Sequence, residues 1–317
     1  MSRLQDLLEA GQRPVVTAEL PPTNSGGLDE VRRKLEMIAP HVDAINATDN
    51  PAAHAHASNV SIAIAMKQLG AEPIMQVVCR DKNRLAIQAD IVGAALFGVE
   101  NICALTGDDV TAGDEPEARR VFDLDGPQLI RVATGIGEGR YLSGRAIDPA
   151  PALFVGAVEN PYAPPLAHRI ERAAKKSANG ARFLQLQIGY HADRLERFVA
   201  GCVEAGTTSR TALMPTICLT RSARALSFMD EHVPGISVPA ATIQRIRDAA
   251  DPAEASYEMA LEQARHALSL TGVAGVHLAD FRHDGSLARL VDELGIFQAT
   301  HPESGQEHHA HGSQLAG

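Results

Sequence analysis

A chain of 317 residues with 45% apolar side chains, no Trp and 4% aromatics must build its core from Ala, Val, Ile and Leu, and it is long enough for one large α/β domain. Its formal net charge of −10, with both signs interspersed, argues against nonspecific nucleic-acid binding, because phosphate contacts need clustered cations. No apolar run is long enough to span a bilayer, Met1–Gly11 lacks a signal peptide's hydrophobic block, and Cys79, Cys103, Cys202 and Cys218 form no CxxC pair. The expectation is a cytoplasmic chain with buried thiols and no membrane or nucleic-acid partner.

Ser2–Ala10 reads as a short amphipathic arm, followed by a first apolar run, Val15–Leu20, which Pro21-Pro22 stops at once. Leu28–Ile38 has helical periodicity, with Leu28, Val31, Leu35 and Ile38 on one face. Ala44–Ala47 is the second run, Asn50-Pro51 a turn, and His56–Leu69 a helix with Ser58 as a cap and Gly70 at its end. Pro73–Cys79 and Asn101–Leu105 are the third and fourth runs, separated by a helix over Arg84–Phe97. The polar stretch Val110–Pro127 is long for a compact domain, which points to function.

Leu129–Thr134 starts another helix, and Gly135-Ile136-Gly137-Glu138-Gly139 is expected to be a flexible connection, because it lacks the strand-to-helix context of a dinucleotide loop. Ala152–Val158 is the fifth run and Leu166–Ala178 a basic helix. Ala181–Gln187 precedes a helix over Arg194–Ala205. Thr211–Leu219, the seventh run, has Pro215 inside it, which suggests a bend. A short helix over Arg221–Asp230 follows, then an expected helical insertion around residues 239–271, made of Ala240–Ala249 and Pro252–Thr271. Gly275–Ala279 and a helix over Ser286–Leu294 complete the rhythm. Eight apolar runs alternating with helical segments predict a (β/α)8 TIM barrel spanning residues 1–300 as a single unit, with residues 301–317 a flexible tail carrying His308, His309 and His311. No His, Cys, Asp and Glu cluster has a structural-metal spacing, so no metal is expected.

A barrel of this kind builds its site from strand C-termini. The polar residues there are Glu19, Thr48, Asn50, Gln76, Asp108, Asp109, Glu159, Asn160 and Gln187. Glu19, between Ala18 and Leu20, suits a general acid whose carboxyl is partly desolvated; anchoring the next loop is the competing role. Gly107 would let a flat ligand approach, and Asp108 would accept its N–H or cap the next turn. Asp109 suits solvent or a cap. Thr48, Gln76 and Gln187 offer neutral donors and acceptors for the amide-like edges of a heterocycle. Lys176 meets a phosphate if its helix approaches the mouth and is otherwise solvated. His277, inside the eighth run, reads as a satisfied inner-layer residue.

Taken in order, Glu19 with Pro21-Pro22, Asn46-Ala47-Thr48-Asp49-Asn50-Pro51, Cys79-Arg80-Asp81-Lys82-Asn83, Thr106-Gly107-Asp108, Val121-Phe122-Asp123-Leu124-Asp125, Ala157-Val158-Glu159-Asn160-Pro161 and Gln185-Leu186-Gln187 resemble the catalytic barrel of methylenetetrahydrofolate reductases. The resemblance runs from Val15 to Ala279 and implies noncovalent FAD and ping-pong reduction of 5,10-methylenetetrahydrofolate to 5-methyltetrahydrofolate by NADH or NADPH. It implies that Glu19 protonates N10 of the folate and that Asp108 tunes the flavin and stabilises the iminium cation. Thr48 would contact the isoalloxazine, Gln187 the folate, Lys176 the FAD phosphates and Asn160 the outer part of FAD. Gln76 and Tyr190 complete the implied substrate contacts, with Tyr190 and Phe154 as candidates for stacking. The pattern departs from the better-known bacterial one at Leu20, Gln76, Arg169 and Leu186-Gln187-Ile188-Gly189, where an aromatic, a histidine, an acid and an aromatic run are usual. The chain stops near the barrel end, without the S-adenosylmethionine-binding regulatory domain of larger relatives. A homo-oligomer and a protein electron-donor subunit are compatible with it. So are a related pterin-reducing flavoprotein and a folate-binding or methyl-carrying subunit without reductase turnover.

Overall fold

The computed structural model describes residues 1–24 and 27–297; the His308, His309 and His311 segment lies outside the described residues. Strands β1 (Val15–Glu19), β2 (Ala44–Ala47), β3 (Pro73–Val78), β4 (Asn101–Leu105), β5 (Phe154–Glu159), β6 (Phe183–Leu186), β7 (Ala212–Leu219) and β8 (Gly275–Asp280) form a closed, all-parallel barrel in chain order. This is the predicted TIM barrel. Each strand is buried on both faces, which is why it reads as an apolar run rather than an alternation. Pro215 is carried inside β7, at the last position paired with β6, opposite Leu186.

Helices α2 (Leu28–Ile38), α3 (Asn59–Gln68), α4 (Arg84–Ala95), α5 (Gly126–Gly137), α6 (Leu166–Ala178) and α7 (Ala192–Glu204) follow the first six strands. Asn83 caps α4 by accepting from the N–H groups of Leu85 and Ala86. Ser58 stands at the N-cap of α3, but its hydroxyl makes no cap bond. Gly70, just beyond that helix, takes φ +84°, the left-handed turn-off that only glycine adopts freely. The Gly135–Gly139 segment is not a loose connection: Asp125 and Gln128 form a reciprocal capping box that starts α5 early, and the helix runs to Gly137.

After β7 come α8 (Ala223–His232), α9 (Ala240–Asp248) and α10 (Pro252–Ser269), and after β8 comes α11 (Ser286–Leu294). Helix α10 packs on β7 and β8, sending Tyr257, Ala260, Ala264 and Ala267 into the main core. It therefore takes the outer-ring place, while α8, α9 and the intervening Ile236 and Val238 build a satellite core with Tyr190.

Helix α1 (Arg3–Ala10) lies across the opposite, N-terminal end of the barrel. Leu4 is fully buried there among the lowest inward residues, Val15, Ala44, Ile74, Cys103, Phe154, Phe183 and Met214. Arg13 pairs with buried Asp43, which also accepts from the Val16 N–H, so the arm and the strand starts are tied together. Phe183 fills the lumen beside Gly156, where an added Cβ would sit 2.3 Å from the ring. Gly156→Ala is therefore expected to destabilise the fold by about 1–3 kcal/mol through overpacking, read as a lower urea midpoint at unchanged m-value. Among the described residues no helix is long and apolar enough to cross a membrane, and all four cysteines are buried and unpaired.

Candidate functional site

Above the apolar floor the lumen turns polar. Successive strand residues alternate faces, so Thr17, Asn46, Gln76, Gln185 and His277 all point inward from the middle of their strands. Four of them form one buried network. Asn46 and Gln185 exchange amide hydrogen bonds of 2.8 and 3.0 Å. Thr17 Oγ1 lies 2.8 Å from His277 Nδ1, with Gln185 Nε2 3.3 Å from the same nitrogen. Asn46 Nδ2 lies 3.4 Å from His277 Nε2. A buried polar layer is tolerated only when its members satisfy one another, and this one does.

One pleat higher stand Glu19, Thr48 and Gln187. The Glu19 side chain is 37% exposed, and its Oε1 is 3.7 Å from His277 Nε2. Thr48 and Gln187 are half-buried, and Gln187 Oε1 accepts from the Ile188 N–H. The inward residues of β3, β4 and β5 at this height are Val78, Leu105 and Val158. The mouth thus has an apolar wall on one side and a carboxyl, a hydroxyl and an amide on the other. Gln76 is 7% exposed, and among the described residues its side-chain amide has no hydrogen-bond partner.

The rim is organised by Arg80. Its guanidinium is 2% exposed, forks onto Asp81 at 2.6 and 2.7 Å, and donates to the backbone oxygens of Asn50 and Asp108. One side chain thereby joins the loops after β2, β3 and β4. Gly107 takes φ +91°, and a Cβ there would meet Val78 Cγ1 at 2.5 Å, so the close approach it permits is to the protein's own wall and Arg80. Asp108 is exposed on the rim, its backbone oxygen held by Arg80. Asp109 caps the next turn through the Thr111 N–H and pairs with Arg120, which holds its carboxyl well below the usual range. Beside the mouth, Thr23, Asn24, His54, His56 and Asp114 line a cleft of about 640 Å³ between the loops after β1, β2 and β4. Among the described residues no group of three or more His, Cys, Asp or Glu is placed to hold a metal ion.

Residues 3–295 match the family model for methylenetetrahydrofolate reductase. The chain belongs to that family. A probable methylenetetrahydrofolate reductase (NADPH) of Caenorhabditis elegans is 25% identical over 257 residues, covering 76% of this chain and 35% of that protein. The chain therefore spans about a third of that relative's length. Among solved structures, an uncharacterised Clostridium thermocellum protein that binds two copies of 5-methyl-5,6,7,8-tetrahydrofolic acid superposes with a TM-score of 0.65 at 14% identity, covering 93% of this chain and all of that one. DmoA from Hyphomicrobium sulfonivorans has a TM-score of 0.57 at 9% identity, covering 92% of this chain and 90% of that one. These structural likenesses concern the barrel fold.

Five residues expected at the site, Glu159, Lys176, Asn160, Tyr190 and Phe154, are engaged away from the open mouth. Glu159 ends β5 but has the outward parity, so its carboxylate is buried between strand and helix. Lys176 reaches it from α6 at 2.6 Å and also donates to Val158 O at 2.5 Å. Both side chains are at most 5% exposed, and burial pushes the Lys176 ammonium down from its ordinary value despite Glu159. Lys176 is thus a core ion pair, not an open phosphate contact. Asn160 donates to Gly235 O and accepts from the Tyr162 N–H, pinning its loop to the segment before α9. Tyr190 is 8% exposed in the satellite core, its hydroxyl against Met229 Sδ, and burial raises it well above its ordinary value. Phe154 stacks on Phe183 in the barrel floor with centroids 5.6 Å apart. Neither ring stands free at the mouth.

These placements test the implied FAD. Thr48 and Asp108 stand where a flavin ring could meet them, but the two side chains matched to its phosphate and outer ends are engaged by the protein. Lys176 and Asn160 thus do not fit the contacts to the FAD phosphates and outer part that the resemblance implies. The features missing from the sequence reading are Thr17, Asn46 and Gln185. Their signal was available: each is a polar residue at the middle inward position of an otherwise apolar strand.

Proposed function

We propose that this barrel binds a reduced folate in its mouth and converts 5,10-methylenetetrahydrofolate to 5-methyltetrahydrofolate, with NADH or NADPH as the source of electrons. One observation carries this reading: Glu19, half-exposed, sits over the hydrogen-bonded layer of Thr17, Asn46, Gln185 and His277 and opposite an apolar wall. A pterin is a flat heterocycle with an amide-like edge, and such a mouth gives its face Val78, Leu105 and Val158 and its edge Thr48, Gln76 and Gln187. Glu19 donates a proton to the folate's N10, which opens the five-membered ring and leaves an electrophilic methylene carbon at N5. The neighbouring apolar side chains keep water from that carbon. Asp108, on the rim, favours the cation electrostatically. FAD, when bound in this family, supplies hydride; the engaged Lys176 and Asn160 give no support for that carrier here.

A second reading has a specific observation in its favour. The same engagement of Lys176 and Asn160 suits a methyltetrahydrofolate-binding protein without reductase turnover, as does the barrel likeness to the Clostridium thermocellum methyltetrahydrofolate binder. Anaerobic mixing of the purified chain with NADH or NADPH and 5,10-methylenetetrahydrofolate separates the two. Formation of 5-methyltetrahydrofolate is expected. Tight calorimetric binding of 5-methyltetrahydrofolate without any product would establish the second reading, and no folate binding at all would overturn both. A visible spectrum identifies the carrier: bands near ~450 nm that bleach with nicotinamide nucleotide mean flavin, and a colourless active protein means none.

A further inference from the structure

We infer that His277 is a positioning residue for the Glu19 carboxyl, its own ring fixed by Thr17, Asn46 and Gln185. The inference rests on the folate reading above and goes beyond it in assigning the floor of the mouth a role.

The geometry makes the case. His277 is 3% exposed, and each ring nitrogen has a neighbour. Nδ1 faces Thr17 Oγ1 at 2.8 Å and Gln185 Nε2 at 3.3 Å. Nε2 faces Asn46 Nδ2 at 3.4 Å and Glu19 Oε1 at 3.7 Å. The Asn46–Gln185 amide pair, closed by two reciprocal hydrogen bonds across the lumen, leaves the ring little freedom to turn. Glu19 alone among the ring's neighbours reaches into the open mouth. The gap is longer than a hydrogen bond, so the ring bounds the carboxyl's position without bonding to it.

Cys103 on β4 and Cys218 on β7 feel Glu19 electrostatically, but burial pushes both thiols up, Cys218 to about 12, so they stay neutral. Tyr190, beyond Cys218, is raised as well. The network's working consequence is a fixed ring beside which the Glu19 carboxyl is set at the open mouth. On reaction Glu19 gives up its proton to the folate amine, leaving a carboxylate beside the His277 ring. Solvent then restores the proton through the exposed carboxyl.

The test uses Thr17→Val, which keeps the side-chain volume but removes the hydroxyl, together with Thr17→Ser and His277→Asn. Thr17→Val is expected to lower kcat by about twofold to tenfold, the factor that one ordinary hydrogen bond is worth, with little change in the KM for folate. It should shift the pH–rate profile, and Thr17→Ser should restore both. Histidine NMR gives a readout independent of turnover: the His277 titration curve should move in Glu19→Gln. Wild-type pH profiles in Thr17→Val and His277→Asn, or an unmoved His277 titration in Glu19→Gln, would overturn the positioning role. If Glu19→Gln itself leaves folate reduction intact, the functional reading falls instead.

Discussion

Glu19→Gln should reduce conversion of 5,10-methylenetetrahydrofolate by about 10²–10⁴-fold, the range expected when a positioned general acid is lost. Glutamine keeps the shape and the capacity to accept a hydrogen bond but holds no transferable proton. Folate affinity should change little, because the apolar wall and the amides of Gln76 and Gln187 are untouched. Stability should also hold, since the side chain is over a third exposed and lies 3.7 Å from the His277 ring, beyond hydrogen-bond distance. Stopped-flow mixing with substrate, alongside calorimetric titration with 5-methyltetrahydrofolate, reads both quantities. Equal loss of binding and turnover would make Glu19 an anchor for the Pro21-Pro22 loop rather than an acid.

The second large effect concerns stability. Glu159→Met strands the Lys176 ammonium in the core with Val158 O as its remaining acceptor. Removing one partner of a buried pair typically costs about 3–5 kcal/mol. Arg169 and Arg172, 3.7 and 3.5 Å from the same carboxylate, also lose their counter-charge, but both reach solvent. The double variant Glu159→Met with Lys176→Met removes both charges and should recover most of the loss. Urea denaturation of the singles and the double completes the cycle. The same variants separate the two roles proposed for Lys176. A phosphate ligand would show lost cofactor affinity at unchanged stability, whereas a core pair shows the reverse.

The barrel itself was legible because all-parallel strands are covered on both sides, so each is written as a short apolar block between helical segments. Ala44–Ala47 and Asn101–Leu105 were read to the residue. The site was legible only as height along the strand. Glu19 and Glu159 both end strands, yet one faces the lumen and the other the helix layer, and that difference is a matter of alternation within the block. Counting inward positions from Thr17 or Phe154 would have separated them. Lys176 is a different case: its long side chain climbs back along α6, so helix position alone understates its reach. Tyr190 was misplaced because the satellite core that claims it comes from α8 and α9, some 40 residues downstream at Met229. The Thr17–His277 contact spans 260 residues, and no local pattern announces it.

The plug formed by Leu4 and the lowest ring of side chains makes the lumen a cul-de-sac. Whatever enters by the mouth must leave by it. Two reactants that need the same ledge above Glu19 must then take turns, and an excess of either should obstruct the other. Trimming the N-terminal arm would open no back door for them, because Phe183 still blocks the shaft.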